Sequence, residues 1–526
     1  MPRKNPHIYE INLVGWLAAI SQREGRPVGI RDIPAREWDR IKEMGMDIAW
    51  LMGIWSRSPY SRKEAQNAPA LVKECESIIP DFAIKDIGGS PYSIYRYAPD
   101  PSFGTLTDLA VLKEGLQKQG LFLVLDFVPN HTACDHLWIK THPEYYISYV
   151  KKGDQACGKG YFSADTDRYP ACIAHGKDPY FPPWTDTAQL DYTVNDTQSA
   201  MIRTMSRVST YCHGMRCDMA MLVLQEVFHQ TWGNLAKGET DKEFWPMAID
   251  RIRSTGRECT LIAEAYWGRE TELLNYGFDY AYDKTLYDLM VQGDIQGIRE
   301  HVVMPFQASM LHFLENHDEP RALSCFGPDR IKCAMVIHAT LPGMRLWQSG
   351  QFEGDTLHVP VQLNQQGWLK LIRAGSVHMD IYIENMHNNT VDNGVYEEAF
   401  SEGYANDDIR QFSRQLLREV NHPVFHEGKW EMCHTEGWPD NQSHMNILAW
   451  CWHYRDERRL IVINFSSSPA QGHIRLPDMW LPEGEMFVLD DPINDETYYR
   501  SARDITDSGL YVGLDAGYFH FFRIGR

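Results

Sequence analysis

The sequence predicts an α/β fold: a (β/α)8 TIM barrel with an inserted domain after the third strand and a C-terminal antiparallel β-sandwich. Three observations carry that reading. Short apolar runs alternate with amphipathic stretches through roughly the first 350 residues, the rhythm of parallel strands covered by helices. One interval, after the third run, is too long for a single crossover helix. Beyond about residue 420 the texture changes to short strand-like runs joined by turns.

The elements follow in order. IYEINLVGW reads as the first strand, MDIAWLMGIW at 46–55 as the second and GLFLVLDFV at 120–128 as the third. AREWDRIKEMG and LTDLAVLKEGLQKQG, amphipathic at helical spacing, supply covering helices between them. A segment rich in Gly, Pro, Tyr and Asp follows (KKGDQACGKGYFSADTDRYPACIAHGKDPYFPPWTD) and reads as an insertion. YCHGMRCDMAML at 211–222, CTLIAEAYW at 259–267, FDYAYD at 278–283, MLHFLEN at 310–316 and GMRLWQSG at 343–350 complete eight strands. The expected units are a barrel over 1–132 and 189–415, an inserted domain over 133–188 and a β-sandwich over 416–526. Within the last, ILAWCWHYRDERRLIVINFSSSP reads as a hairpin turning at RDERR.

Composition narrows the function classes. Lys and Arg total 51 against 71 Asp and Glu, a net charge of −20, which speaks against nucleic acid and anionic membranes as partners. No run of about 18 uninterrupted apolar residues suggests a membrane span. Glu10 and Asn12 break the early apolar stretch, so it reads as a strand and not a signal peptide. The 11 cysteines are scattered without a Cys-x-x-Cys pair, which fits reduced thiols and a cytoplasmic location. The oligomeric state is left open.

The charges gather where strands end. FLENHDEPR, Phe313 to Arg321, leaves an apolar run and enters a knot of ionisable groups that would be costly to bury unpaired. The third strand ends LVLDFVPNH, with Asp126, Asn130 and His131; the fourth ends GMRCD, with Arg216 and Asp218; the fifth ends LIAEAYW, with Glu264; the seventh ends FLENHD, with His317 and Asp318. Active sites of such barrels form at the C-terminal ends of the strands, so four such endings point to one pocket. The chemistry they suit is glycoside cleavage, which needs a carboxylate nucleophile and a carboxylic acid flanking the bond. A nearby Arg keeps the nucleophile ionised, and a third carboxylate with two His can grip sugar hydroxyls.

With these residues in view, the chain resembles the α-amylase family of retaining α-glycoside hydrolases and transglycosylases. DFVPNH, GMRCD, AEAYW and ENHD resemble the family's four motifs, in family order. GSPYSIYRYAPDPSFGTLTDL at 89–109 and TAQLDY at 187–192 resemble two further segments. The resemblance implies Asp218 as nucleophile, Glu264 as general acid/base and Asp318 as the third carboxylate. It implies that Arg216 orients Asp218, that Asp126, His131 and His317 bind the same sugar ring, and that Tyr92 stacks on it. Arg321 resembles an Arg of the family's exo-acting α-glucosidase branch.

Several readings compete. Arg216 and Asp218 also fit a buried structural pair, and Arg321 fits an ion pair with Glu315 or Glu319. Cys217 belongs to the opposite strand face and reads as core. Met221 and Leu222 stand where many family α-amylases carry Lys-His, which puts starch-chopping in doubt; they read either as an apolar acceptor-side rim or as packed helix residues. Family calcium sites use an Asn at the position of Asn130 and an Asp near Asp191, but two ligands fall short of six to eight oxygens. No cofactor and no metal ligand is therefore assigned, calcium remaining the one alternative. The function expected is cleavage or transfer of α-glucosides or malto-oligosaccharides through a covalent glycosyl-enzyme. The alternative is a catalytically silent carbohydrate-binding protein on the same fold.

Overall fold

The computed structural model describes residues 2–238, 240, 242–379, 407–477, 480 and 486–524. Eight parallel strands close into a barrel: β1 (His7–Asn12), β2 (Ile48–Met52), β3 (Phe122–Phe127), β4 (Gly214–Cys217), β5 (Thr260–Ala263), β6 (Tyr280–Tyr282), β7 (Met310–His312) and β8 (Met344–Gln348). Each pairs with its sequence neighbours, and β8 returns to β1 with His7 opposite Arg345. Each of the eight apolar runs of the sequence meets one of these strands, and all but the first, which starts one residue after His7, contain it whole.

Alternation along each strand sorts the side chains. Ile8, Ile48, Trp50, Val124, Ile262, Leu311 and Leu346 fill the barrel interior. Tyr9, Leu51, Leu125, Met215, Cys217 and Leu261 face outward into the larger core under the helices. The same parity decides the site. Asp126 follows Val124, Arg216 follows Gly214 and Glu264 follows Ile262, each two residues on along its chain, so each is delivered to the barrel axis at the strand's end.

The first strand is shorter than the apolar run that announces it. Asn12 Oδ1 accepts the Gly15 N–H at 3.2 Å and caps a helix over Leu13–Glu24, which ends at Gly25 in the left-handed region (φ 64°). Helices over Ala35–Glu43 and Leu106–Lys118 cover the next strands, the latter opened by a Thr105–Asp108 capping box.

Between β3 and β4 the chain leaves the barrel. His131–Ala133 and Thr187–Gln189 pair as an antiparallel neck, and beyond it Pro170–Ala174 sits between Ser148–Val150 and Tyr161–Asp165 in a small sheet. Cys157 and Cys172 are bonded to each other here, so these two differ from the reduced thiols expected of the sequence.

The C-terminal region is a pair of antiparallel sheets. A six-stranded sheet runs Lys429–Met432, Ile447–Tyr454, Glu457–Asn464, Tyr518–Ile524, Met486–Asp491, Glu496–Ser501; a three-stranded sheet runs His434–Glu436, Ala470–Arg475, Leu510–Leu514. The RDERR hairpin is present, with Tyr454 opposite Glu457. Ile447, Ala449 and Cys451 face the three-stranded sheet. Leu448, Trp450 and Trp452 face the barrel and join its core. Both indoles donate to Thr340, at the end of the Ala322–Thr340 helix: Trp450 to its hydroxyl at 3.1 Å and Trp452 to its carbonyl at 2.6 Å. The expected boundary at 415/416 falls inside the Asp407–Val420 helix, and residues 380–406 of the expected barrel unit lie outside the described residues. Among the described residues no helix is long and apolar enough to cross a membrane.

Candidate active site

A cavity of about 740 Å³ opens at the C-terminal end of the barrel, lined by Tyr92, His131, Asp218, Glu264, His317 and Asp318 of the expected set. Asp126 and Arg216 lie beneath it, and Arg321 is not among its lining residues.

Arg216, 1% exposed, is the centre. Its Nη1 donates to Asp218 Oδ1 at 2.7 Å, its Nη2 lies 2.8 Å from Glu264 Oε2, and Asp126 Oδ1 is 3.8 Å away. The guanidinium stands over the faces of Trp50, Tyr92 and Tyr282 at 5.2–5.7 Å, a setting that favours a retained cation. Because one planar fork holds both Asp218 and Glu264, their spacing is fixed by the geometry of one side chain.

Burial pushes both carboxyls up. Asp218 rises to about 6, with Arg216 pulling against the loss of water. Glu264 rises to about 7, burial again leading, Arg216 opposing and Asp218 adding repulsion. Glu264 also accepts the Met219 N–H at 2.5 Å and the Tyr266 hydroxyl at 2.9 Å. Met219 takes a left-handed conformation (φ 43°, ψ 47°), a strained choice for a non-glycine residue, and this turn aims its N–H at Glu264. Asp126 is raised to about 6 by burial, against Arg216, and accepts Trp50 Nε1–H and the Gly53 N–H, both at 3.2 Å.

The seventh strand's ending resolves into separate tasks. Asn316 Oδ1 accepts the N–H groups of Asp318 and Glu319, both at 2.9 Å, and bends the chain outward. His317 points inward. Its Nδ1 meets Glu10 Oε1 at 2.5 Å; its Nε2 meets the Tyr92 hydroxyl at 2.7 Å and Asp318 Oδ2 at 3.1 Å. Burial alone would favour the neutral ring, but Asp318 and Glu10 hold His317 well above its usual value, as an imidazolium. Asp318 is 48% exposed toward the cavity. Crowding works against its charge, yet the His317 cation holds its carboxyl down to about 2. The Tyr92 and His317 rings stack at 5.1 Å, 17° apart.

His131 is buried against Trp184 of the insertion; burial lowers it to about 4, so the ring is neutral. Arg321 pairs with Glu315 at 3.0 Å, as its structural reading expects, and donates to Gln348 Oε1 and the Ser349 carbonyl; it lines a smaller adjoining cavity with His317 and His358. Met221 and Leu222 are 0% and 3% exposed, packed under the pocket and not forming a rim.

The expected calcium pair is otherwise engaged. Asn130 Oδ1 accepts the Gln189 amide at 3.0 Å; Asp191 accepts Thr193 at Oδ1 and the Lys237 N–H at Oδ2. Among the described residues no group of three or more His, Cys, Asp or Glu is placed to hold a metal.

Sequence reasoning missed four contributors. Glu10 interrupts an apolar strand with the same parity as interior Ile8, and that interruption was its signal. Tyr266 stands two residues beyond Glu264. Trp184 and Asp186 reach the cavity from the insertion, and no strand period announces them.

Comparison with known proteins follows the same lines. Residues 35–414 match the α-amylase catalytic domain. The α-glucosidase of Culex pipiens is 25% identical over 388 residues, 62% of this chain and 64% of that protein. The oligo-1,6-glucosidase of Parageobacillus thermoglucosidasius is 32% identical over 126 residues, 22% of this chain and 17% of that protein. The chain thus spans less than two thirds of the length of either relative. In fold, the maltogenic α-amylase AmyB of Thermotoga neapolitana superposes with a TM-score of 0.62 at 16% identity, covering 99% of both chains.

Proposed function

The chain belongs to the α-amylase family, and from that premise we propose that it is a retaining α-glycoside hydrolase or transglycosylase acting on α-glucosides or malto-oligosaccharides. One observation carries the reading: a single buried guanidinium brackets Asp218 and Glu264 at 2.7 and 2.8 Å, beside Asp318 and beneath an open pocket.

The protonation order suits the division of labour. Asp218, titrating lower than Glu264, is ionised where Glu264 still holds its proton. An Asp218 oxygen attacks the anomeric carbon; the bond from that carbon to the leaving oxygen breaks, and Glu264 gives that oxygen its proton. Glu264, now ionised, takes a proton from water or a sugar hydroxyl, whose oxygen displaces Asp218. Asp318, ionised throughout, accepts hydrogen bonds from hydroxyls of the same ring. Tyr92 offers that ring a flat face. Arg216 touches both working carboxylates and is a positioning residue.

The test is the first-formed product. With maltose, malto-oligosaccharides, isomaltose, sucrose and trehalose, with and without phosphate, anomeric proton NMR should show α-configured sugar first. β-configured sugar first would remove Asp218 from the nucleophile's role.

A further inference from the structure

His131 lines the catalytic cavity and also a second one, of about 580 Å³. Its other walls come from the strand Ile94–Pro99, the first turns of the insertion and the helix Asn195–Val208. We propose that this second cavity is a binding site for a phosphorylated sugar.

Charge is the first argument. The chain carries a net charge of −20, yet Arg96, Arg203 and Arg207 line this cavity and no Asp or Glu does. Arg203 and Arg207 stand one turn apart on one helix face, a like-charge spacing that weakens a helix. All three arginines are exposed at the cavity mouth; neither guanidinium of the helix meets a carboxylate among the described residues, and Arg96 donates to the Ser56 hydroxyl at 3.3 Å. Two carboxylates, Glu144 and Asp196, act on the Tyr145 hydroxyl. Neither lines the cavity, and Glu144 is paired with Arg168 at 3.1 Å. Clustered guanidinium forks without internal partners match a phosphate, which accepts paired N–H groups.

The second argument is the aromatic lining beside them, Tyr95, Trp138, His142 and Tyr145. Tyr95 is 38% exposed. His142 stacks on Tyr145 at 4.6 Å and 6°, and Trp138 meets Tyr145 edge-on at 5.4 Å. A bare anion needs no such surface; a ring carrying the anion does. His136 accepts the Trp138 N–H at Nδ1, which leaves its Nε2 as the N–H of the neutral ring that burial enforces. That N–H suits a hydroxyl oxygen.

The test is binding to the full chain by calorimetry, with glucose 6-phosphate, inorganic phosphate and glucose as separate probes. Turnover plays no part in it, so its failure would leave the catalytic reading untouched. Glucose 6-phosphate should bind saturably and more tightly than inorganic phosphate. The double variant Arg203→Ala/Arg207→Ala should lose at least tenfold in affinity for it. Tyr95→Ala should weaken glucose 6-phosphate and leave inorganic phosphate unchanged, which a merely electrostatic patch would not do. Absence of saturable binding by the parent, equal binding by the double variant, or equal affinity for free phosphate and the sugar phosphate would each overturn the proposal.

Discussion

Replace Glu10 by Gln. The side chain keeps its shape and an oxygen for His317 Nδ1, and loses only its charge. Glu10 is 1% exposed and its second oxygen meets no donor among the described residues, so His317, its hydrogen-bonded partner, feels the change most directly. A hydrogen bond to a charged group contributes about 1.5–3 kcal/mol, and one pKa unit is about 1.4 kcal/mol. His317 should therefore titrate about 1–2 units lower in the variant. The stability consequence has a definite sign. His317 is raised in the folded protein above its usual value of 6.5, so its contribution is complete below that value and is lost as pH rises through the folded value. In Glu10→Gln that loss begins about 1–2 units earlier. Imidazole NMR reads the His317 titration directly, and urea unfolding across pH reads the stability. An unchanged His317 titration in the variant would refute the reasoning, as would a neutral His317 in the parent at neutral pH.

Three further outcomes follow from the site and the barrel. Asp218→Asn should cut kcat on an activated α-glucoside by roughly 10⁴ while maltose still binds; activity within tenfold of the parent would end its nucleophilic role. Glu264→Gln should be slow on a leaving group that needs a proton and far less impaired at the first step with an acidic phenol. In the parent, the loss of activity above about pH 7 should follow Glu264 and should vanish for that first step in the variant. Ile262→Ala, at a fully buried position inside the barrel, should cost about 2–5 kcal/mol in urea unfolding; a loss under about 1 kcal/mol would mean that the interior is not packed as described.

The barrel was legible because its strands are buried on both faces and announce themselves as apolar runs. The three carboxylates were legible because each sits a residue or two past such a run. What escaped has physical causes. Periodicity could not separate the end of β1 from the helix after it, because LVGW is apolar in either state; the Asn12 cap decides. Glu10 read as an interruption because a charge inside a strand has no meaning until its partner, 307 positions away, is placed beside it. Trp184 and Asp186 come from loops whose path no local pattern fixes. Arg321 had two readings, and the pair with Glu315 was one of them, because a charge buried that deeply needs its nearest opposite. Met221 and Leu222 likewise had two, and burial selects packing.

The two indoles that reach from the six-stranded sheet to Thr340 make the C-terminal unit hard to remove. Its strand Ile447–Tyr454 is dry on both faces as far as Trp452: alternate residues feed its own sandwich and the barrel's core. A chain cut before Lys429 would strip the lid from an apolar wall and take the Trp452 donor from the Thr340 carbonyl at the end of the helix before β8. β8 closes the ring onto β1, so the damage would run to the seam of the barrel. The C-terminal domain is in this sense a keystone, and heat or denaturant should take the two units apart in one cooperative step.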